Sequence, residues 1–253
     1  RFYNRLARRY SQGRVFLCGD ACHLFSPVGG LGMNTGFQDA FNLAWKLAGV
    51  LNGNLYPSVL ESYEHERQPV AAQMIATTDA NTRLILRQDC DPAGALRRWL
   101  PTMDNRHHIA VGFPMTFSGL GQRYGEQALV AGGGRWVGRL LPSVQMHTDV
   151  GVQSSHALMR AGRFVLLVRG ACPTQLSQQL QASGQVDVVS VIEVSAGRNQ
   201  AMALRKGEAL LVRPDGVVAL QAMVDDPNVF LAYLSNVLPA LALYRPAEES
   251  LQV

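Results

Sequence analysis

The sequence predicts an α/β chain in two parts, with helices dominating the first part and strands alternating with helices in the second. Apolar residues recur at three- and four-residue steps over 37–51, which is typical of an amphipathic helix. Beyond residue 164, short β-branched apolar runs are separated by turn residues, as in strands. The composition shifts at the Gly132–Gly134 cluster. We therefore expect domains at residues 1–130 and 131–253.

Composition excludes several classes of protein. Of 253 residues, 47% are hydrophobic and 17% charged, which is ordinary for a soluble globular protein. The net charge is +4, and five arginines lie among the first 14 residues without an acid. Because Phe2, Leu6 and Tyr10 interleave with these arginines at helical spacing, we predict a solvated helix face and no nucleic-acid partner. No apolar run is long enough to cross a bilayer, and no signal peptide is evident, so no membrane association is expected.

The four cysteines are scattered and form no CxxC pair; they are Cys18, Cys22, Cys90 and Cys172. A zinc site would require two ligand pairs at short spacing, and His23 beside Cys22 has no second pair to join. The sequence therefore predicts no metal site. Free thiols are typical of a reducing compartment, which favours a cytoplasmic location.

The elements of the first part follow from periodicity and from Gly and Pro positions. Arg14–Cys18 is an apolar run that predicts a buried strand. A glycine-containing loop follows, and the 37–51 helix should end at Gly53. A second helical pattern covers residues 58–88, and Pro69 should kink or break it because proline lacks the amide donor.

The second part alternates strands and helices, and its last two strands flank a turn. Arg213-Pro214-Asp215-Gly216 is a turn sequence, so the two runs around it predict an antiparallel hairpin. The predicted elements are a strand at 164–168, a helix at 173–182, a strand at 186–194, strands at 209–212 and 217–220, and a helix at 226–241. This order is that of the second half of a thioredoxin-like domain, here without the redox CxxC motif. Residues 89–130 give no regular pattern, and His107 and His108 are expected in a surface loop.

The segment from Gly19 to Asn34 carries the chemistry. It has an acidic residue after a strand, a loop with three glycines in close succession, and the start of a helix. Glycines let the backbone approach a flat ligand closely. A helix amino terminus offers unpaired amides and a partial positive charge, which suits a ligand that becomes anionic.

These residues resemble the GD motif of the group A FAD-dependent aromatic monooxygenases, the family of para-hydroxybenzoate hydroxylase and phenol hydroxylase. The similarity continues through Asp39–Leu47 (DAFNLAWKL) and Ser62–Pro69 (SYEHERQP). Leu211–Ala219 (LVRPDGVVA) is similar to the tail of the branch with a thioredoxin-like carboxy-terminal domain. The resemblance implies an α/β fold: the carboxy-terminal part of a para-hydroxybenzoate-hydroxylase-like FAD-binding domain, followed by a thioredoxin-like domain without CxxC.

The resemblance also implies roles for the loop residues. Asp20 would bind the ribityl chain of FAD, with Gly19 allowing the close approach. Pro27 would lie at the reactive edge of the isoalloxazine, its carbonyl orienting the ring, and it is the residue assigned to catalysis. The pyrimidine side of the ring would be lined by Gly30, Leu31, Gly32, Met33 and Asn34.

Three further positions qualify this resemblance. Asp39 is expected to tie the helix to neighbouring loops rather than to touch flavin. Ser26 stands where many members have a first proline, which predicts a looser loop. Leu220-Gln221 replaces the Trp-Arg that often ends the tail motif, so that surface should differ.

The reaction implied by the family uses FAD, NAD(P)H and O2, and it transfers oxygen through a flavin C4a-hydroperoxide to a phenolic or polycyclic aromatic substrate. Two alternatives stay open. One is a Baeyer–Villiger or other oxidative tailoring flavoenzyme of the same fold. The other is an inactive, truncated relative whose tail is a dimerisation module. A monooxygenase could also form a homodimer, and that question stays open. The choice between NADH and NADPH is also open.

A strand–GxGxxG–helix unit, which the family uses for the FAD pyrophosphate, does not occur in the sequence. Gly29-Gly30-Leu31-Gly32 lacks the spacing. We therefore expect this chain to be a carboxy-terminal fragment that is not a competent enzyme by itself.

Overall fold

A computed structural model describes the protein at residues 3–27, 30–85, 121–125, 127–148, 151–159, 162–182, 189–194 and 204–239. The helices are α1 Gly32–Leu51, α2 Ser62–Ile85, α3 Ser155–Met159, α4 Thr174–Ala182 and α5 Pro227–Ser235. The strands are β1 Arg5–Leu6, β2 Ser11–Gln12, β3 Val15–Phe16, β4 His23–Leu24, β5 Gln145–Thr148, β6 Gly151–Ser154, β7 Phe164–Arg169, β8 Val189–Val194, β9 Glu208–Val212 and β10 Val218–Met223. His107 and His108 lie outside the described residues. None of the described helices combines the length and apolar composition that crossing a membrane requires.

The chain forms two compact units. The first comprises Arg1–Ala44 and Glu61–Ala128, and the second comprises Trp45–Leu60 and Leu129–Val253. The expected domains, 1–130 and 131–253, differ from these units chiefly in residues 45–60. That segment belongs to the second unit because Trp45 packs edge-on against Phe164, with 5.7 Å between ring centroids, and because Leu55 joins its hydrophobic core.

The amino-terminal segment is extended, so the prediction of a helix face there is wrong. β1 pairs antiparallel with β4, and β2 pairs with β3 in a hairpin. The backbone amides of Tyr10 and Ser11 both donate to the Glu64 carboxylate, at 2.7 and 3.1 Å. These bonds to distant residues satisfy the amides that a helix would have bonded locally. The strand expected at Arg14–Cys18 is reduced to β3, and Val15 is 65% exposed rather than buried.

The two long helices lie close to their predicted positions. α1 starts at Gly32, five residues before the predicted start, and Gly53 follows its end with φ +73°. A 3₁₀ turn at Pro57–Glu61 precedes α2. α2 continues through Pro69, so the predicted break does not occur, and the alternative of a kink stays a prediction. Pro69 is exposed, so water can satisfy the backbone carbonyl that it leaves without an amide donor.

The second unit is built around a four-stranded sheet in the order β10-β9-β7-β8. β7 and β8 are parallel and are connected through α4, whereas β9 is antiparallel to both of its neighbours. The predicted hairpin is confirmed: β9 and β10 pair around the turn, where Gly216 has φ +81°. The β5–β6 hairpin was not predicted, because the run from Gln145 to Ser154 lacks a clear alternation of apolar residues.

Both faces of this sheet are covered. Alternate residues of β7 point to opposite faces, so Leu166 joins one hydrophobic cluster and Leu167 the other. The first cluster takes side chains from α4 and α5, such as Leu176 and Phe230. The second takes Met146 from β5. This double coverage explains why β7 is almost continuously apolar in the sequence.

Candidate functional site

The loop between β3 and α1 approaches the helix closely at a pair of glycines. Gly19 opens a 3₁₀ turn, Gly19–Ala21, with φ +60°, a conformation that glycine adopts without strain. A Cβ atom placed on Gly36 of α1 would lie 3.3 Å from the Cα of Gly19. The backbone of the turn therefore rests on the helix, and a side chain at position 36 would push the two apart by a few tenths of an ångström.

Asp39 connects this turn to the body of the first unit. Its side chain is fully buried, and its Oδ2 accepts a hydrogen bond from the Gly19 amide at 3.3 Å. The same oxygen lies 2.6 Å from His23 Nε2, and Oδ1 accepts from Arg67 Nε at 2.7 Å. The expectation that Asp39 ties the helix to neighbouring loops is confirmed by these bonds.

Arg67 of α2 extends the network to the start of α1. It is 1% exposed, and its terminal nitrogens donate to the Thr35 carbonyl at 3.4 Å and to the Tyr124 hydroxyl at 3.1 Å. Burial by itself would lower the pKa of the guanidinium, but the nearby Tyr124 and Asp39 outweigh burial and raise it. Arg67 is therefore a permanent cation that balances the Asp39 carboxylate.

His23 has a structural role, as expected. Besides its bond to Asp39, its ring stacks on Phe25 with 4.6 Å between centroids and an interplanar angle of 11°. Its Nδ1 atom is buried and has no hydrogen-bond partner among the described residues. The ring therefore packs under the loop and holds Phe25 in place.

The residues that the resemblance assigns to the flavin ring divide by exposure. Pro27, Gly30 and Met33 are exposed, Met33 by 71%. The Pro27 carbonyl accepts a hydrogen bond from the Gly30 amide at 3.1 Å. Leu31 is 2% exposed, so only its backbone can face a ligand. Gly32 and Asn34 are half-buried at the start of α1.

The geometry fits a flat, electron-rich ligand. A Cβ on Gly30 would meet no atom within 4 Å, so there is open space beside Gly30. The first amides of α1 have no acceptor inside the helix and carry its partial positive charge. Asp20 is exposed, and its carboxylate makes no hydrogen bond or ion pair with a described residue. A carboxylate, a turn backbone and a helix start are the donors and acceptors that FAD requires.

The two cysteines of this region are poorly suited to nucleophilic chemistry. Burial, followed by the Asp39 charge, raises the pKa of the Cys22 thiol to about 12, and the same causes raise that of Cys18. Because both pKa values are raised, the two side chains are thiols near neutral pH. The thiolate is the reactive form of cysteine, so neither is a good nucleophile there. Among the residues that the structure describes, no cluster of three or more His, Cys, Asp or Glu could hold a metal ion.

Sequence reasoning did not identify Arg67, although it lies within the quoted SYEHERQP motif. An arginine among the polar residues of a helix is expected to be exposed, so the sequence does not indicate that Arg67 is buried. The one available signal was its position on the helix: Tyr63, Arg67, Val70 and Met74 lie at three- and four-residue steps, and all four are buried.

Two families match the chain. The one described as "FAD binding domain" matches residues 2–78, and the one described as "Aromatic-ring hydroxylase, C-terminal" matches residues 134–239. The first match contains the whole loop and Asp39, His23 and Arg67 of the network, whereas Tyr124 lies outside it. The second contains the four-stranded sheet.

Individual relatives agree with these matches. Anhydrotetracycline monooxygenase of Streptomyces rimosus is 36% identical over 223 residues, which are 87% of this chain and 42% of the relative. The solved structure of OxyS anhydrotetracycline hydroxylase from Streptomyces rimosus superposes with a TM-score of 0.77 at 34% identity and covers 93% of this chain and 46% of that one. This chain therefore spans less than half the length of these relatives.

Two further similar solved structures are of proteins named for different reactions. A ternary complex of aklavinone-11 hydroxylase with FAD and aklavinone has a TM-score of 0.70 at 28% identity and covers 93% of this chain and 45% of that one. The Diels-Alderase PyrE3 of pyrroindomycin biosynthesis has a TM-score of 0.66 at 30% identity and covers 93% of this chain and 44% of that one. This chain therefore resembles, to a similar degree, a protein named as a hydroxylase and one named as a Diels-Alderase.

Proposed function

We propose that the chain belongs to the FAD-dependent aromatic-ring hydroxylases and forms part of a monooxygenase that hydroxylates a phenolic or polycyclic aromatic substrate. The observation that carries the proposal is that Asp20, Pro27 and Gly30 are all exposed in the loop that directly precedes α1. This loop lies within the segment that matches an FAD binding domain. FAD, when bound, would supply the oxygen chemistry, with NAD(P)H as the reductant.

The chain's own residues would bind and orient the cofactor. The Asp20 carboxylate would accept hydrogen bonds from ribityl hydroxyls, with Gly19 allowing the approach. The Pro27 carbonyl, which has a second lone pair beyond its bond to Gly30, would fix the ring at its reactive edge. The first amides of α1 would favour negative charge on the pyrimidine side.

The roles of the remaining loop residues follow from their exposure. Met33 would cover the ring with an exposed side chain, whereas Leu31 would contribute only its backbone. Gly30, Gly32 and Asn34 would line the pyrimidine side. These residues position the ring, and none of them takes or gives a proton in the proposal.

The second unit would be a thioredoxin-like domain without redox activity. Its sheet order, with one parallel pair connected by a helix and two antiparallel strands after it, supports that proposal. Cys172 precedes α4, and the sequence has no second cysteine at the CxxC spacing that a redox disulfide of this fold requires. The 1–130 and 131–253 domain division, a possible homodimer and a cytoplasmic location stay predictions.

The substrate class is proposed from the relatives. Two of them have names that refer to anhydrotetracycline and aklavinone. We infer that this chain's protein also acts on an extended aromatic molecule, since the similarity covers most of the chain.

A second candidate is a cyclisation without net oxidation, which the Diels-Alderase relative favours. The two functions differ in stoichiometry. Hydroxylation consumes one NAD(P)H and one O2 for each product, whereas cyclisation consumes neither.

The test is flavin binding by the full-length protein and by its Asp20→Asn variant. We expect the unaltered protein to be yellow and Asp20→Asn to bind FAD about tenfold more weakly, because a charged acceptor is lost. Asp225→Asn is the matched control, since Asp225 is an exposed carboxylate of the second unit. A colourless protein that does not take up FAD would overturn the proposal and favour the inactive relative. Lactone products instead of hydroxylated ones would favour the Baeyer–Villiger alternative.

A further inference from the structure

Ser26 is a buried polar residue directly before the exposed Pro27. It is 3% exposed, whereas Pro27 has an exposed side chain in the loop proposed to hold the flavin ring. A buried hydroxyl requires a hydrogen-bond partner, because leaving one without costs stability. The partners of Ser26 come from two other segments of the first unit.

The Ser26 amide is held by the amino-terminal segment. It donates to Asn4 Oδ1 at 3.0 Å. The Asn4 side chain is fixed in turn, because its Nδ2 donates to Asp79 Oδ1 of α2 at 3.2 Å. This bond requires a backbone N–H at position 26.

The Ser26 hydroxyl is held by α2. Its Oγ lies 2.6 Å from Thr82 Oγ1, and Thr82 Oγ1 also lies 2.7 Å from the Thr78 carbonyl. Ser26 is therefore bonded on its backbone and on its side chain. We call Asn4, Ser26 and Thr82 the polar latch.

Ser26 makes two bonds that a proline at this position could not make, because proline has neither an amide N–H nor a side-chain hydroxyl. The Ser26 amide bonds Asn4 and its hydroxyl bonds Thr82. The expectation that Ser26 loosens the loop stays a prediction. Ser26 also precedes Pro27, which confines its backbone to extended conformations.

We propose that Ser26 is a positioning residue for flavin, acting through Pro27 by way of the polar latch. Before the cofactor binds, the latch orders the backbone directly preceding Pro27. An ordered loop binds more tightly than a loose one, because less conformational entropy is lost on binding. This inference rests on the proposed function, since it concerns the same loop.

The experiment uses the full-length protein with FAD as the probe. The variants are Thr82→Val, Ser26→Ala and their double, with Thr82→Ser as the conservative rescue. Thr77→Val is the matched control, because Thr77 is on the same helix and bonds the Gln73 carbonyl at 2.9 Å without contacting the loop. The readouts are the dissociation constant for FAD, the midpoint potential of bound FAD, and the urea midpoint of unfolding.

We expect Thr82→Val and Ser26→Ala each to weaken FAD binding about fivefold, since each removes one buried hydrogen bond. The double variant should be no weaker than either single, because both remove the same bond. The midpoint potential should shift in both, because the ring position changes. Thr82→Ser and Thr77→Val should bind FAD like the unaltered protein.

The outcomes separate the two proposals. If the unaltered protein binds no FAD, the proposed function fails and this inference fails with it. If the unaltered protein binds FAD but Thr82→Val and Ser26→Ala leave its affinity and potential unchanged, the latch has no positioning role and only this inference is overturned. A lower urea midpoint with unchanged affinity and potential would assign the latch to stability alone, which also overturns it.

Discussion

Asp39 is a buried carboxylate with three partners in the first unit. It bonds the Gly19 amide, the His23 ring and the Arg67 guanidinium, so one side chain joins the loop, β4 and α2. Removing it would leave Arg67 as a buried cation without its main counter-ion. The cost of such a change exceeds the value of the pair itself, because the remaining charge stays desolvated.

We expect Asp39→Ala to lower the free energy of unfolding by about 3 kcal/mol, and Asp39→Asn by less, because the amide oxygen still accepts one bond. Urea unfolding followed by circular dichroism would measure both. Asp225→Ala is the control, because Asp225 is exposed and its replacement should change stability by about 0.5 kcal/mol or less. Equal losses at Asp39 and Asp225 would contradict the assignment of Asp39 as the central residue of the network.

At the scale of single elements, α1 contains a glycine whose role is packing. A Cβ placed on Gly49 would lie 2.2 Å from Leu55 Cδ1 and 2.5 Å from its Cγ. Leu55 is buried in the hydrophobic core of the second unit. The close fit lets the segment after the helix fold back against it, and the Asn54 and Leu55 amides both bond the Gly49 carbonyl.

We expect Gly49→Ala to destabilise the protein by about 1–3 kcal/mol, although the same change in an open helix would stabilise it. Thermal unfolding of Gly49→Ala, Leu55→Ala and the double variant would test this. The double should lose less than the sum of the singles, because the smaller side chain at position 55 relieves the clash. Additive losses would show that Leu55 is not the cause.

The β9–β10 turn depends on an ion pair within four residues. Arg213 is buried and bonds Asp215 through two nitrogens, and its guanidinium lies 5.3 Å from the Trp45 ring centroid. Gly216 completes the turn at φ +81°. Ala at that position would adopt an unfavourable left-handed conformation.

We predict that Gly216→Ala lowers the free energy of unfolding by about 1 kcal/mol and that Asp215→Ala lowers it by about 3 kcal/mol, because the latter leaves a buried guanidinium without its carboxylate. Chemical denaturation would measure both. The test is which variant loses more unfolding free energy. A larger loss for Gly216→Ala than for Asp215→Ala would show that backbone conformation, rather than the ion pair, stabilises the turn.

At the scale of the whole molecule, three buried acidic groups of the first unit predict how stability depends on pH. Burial is the largest cause that raises the pKa of Tyr10 and of Tyr63, as it is for Cys22, and the Asp39 charge adds to it in each case. Each group is neutral when protonated, so the folded state retains these protons to higher pH than the unfolded state does. Their contribution is fully present below the unfolded pKa, about 9 for the thiol, and is lost as pH rises through the folded pKa.

We expect the urea midpoint to be constant from pH 7 to 8 and to fall steadily above about pH 9. Cys22→Ala should make that fall less steep, because one of the three groups no longer ionises on unfolding. Unfolding curves at half-unit pH steps would measure the slope. A midpoint that rises with alkaline pH would contradict the direction of these pKa shifts.

Several elements could be predicted from the sequence. They are α1, β7 and the β9–β10 hairpin, and they were identified because their apolar residues recur with the period of one secondary structure. The amino-terminal segment was predicted wrongly for a related reason. Its apolar residues have helical spacing, but its amides bond Glu64, which is 53 and 54 residues away in the chain.

By itself, the sequence determined the loop with its acidic residue and glycines, the helix after it and the family that these residues resemble, because local motifs depend on neighbouring residues. Only the tertiary structure decided that Asp39, His23 and Arg67 form one buried network, that residues 45–60 belong to the second unit, and that Ser26 is bonded to Asn4 and Thr82. Each of these depends on contacts between residues at least 16 positions apart in the chain. Such contacts form only when separate elements pack, so neither composition nor periodicity records them.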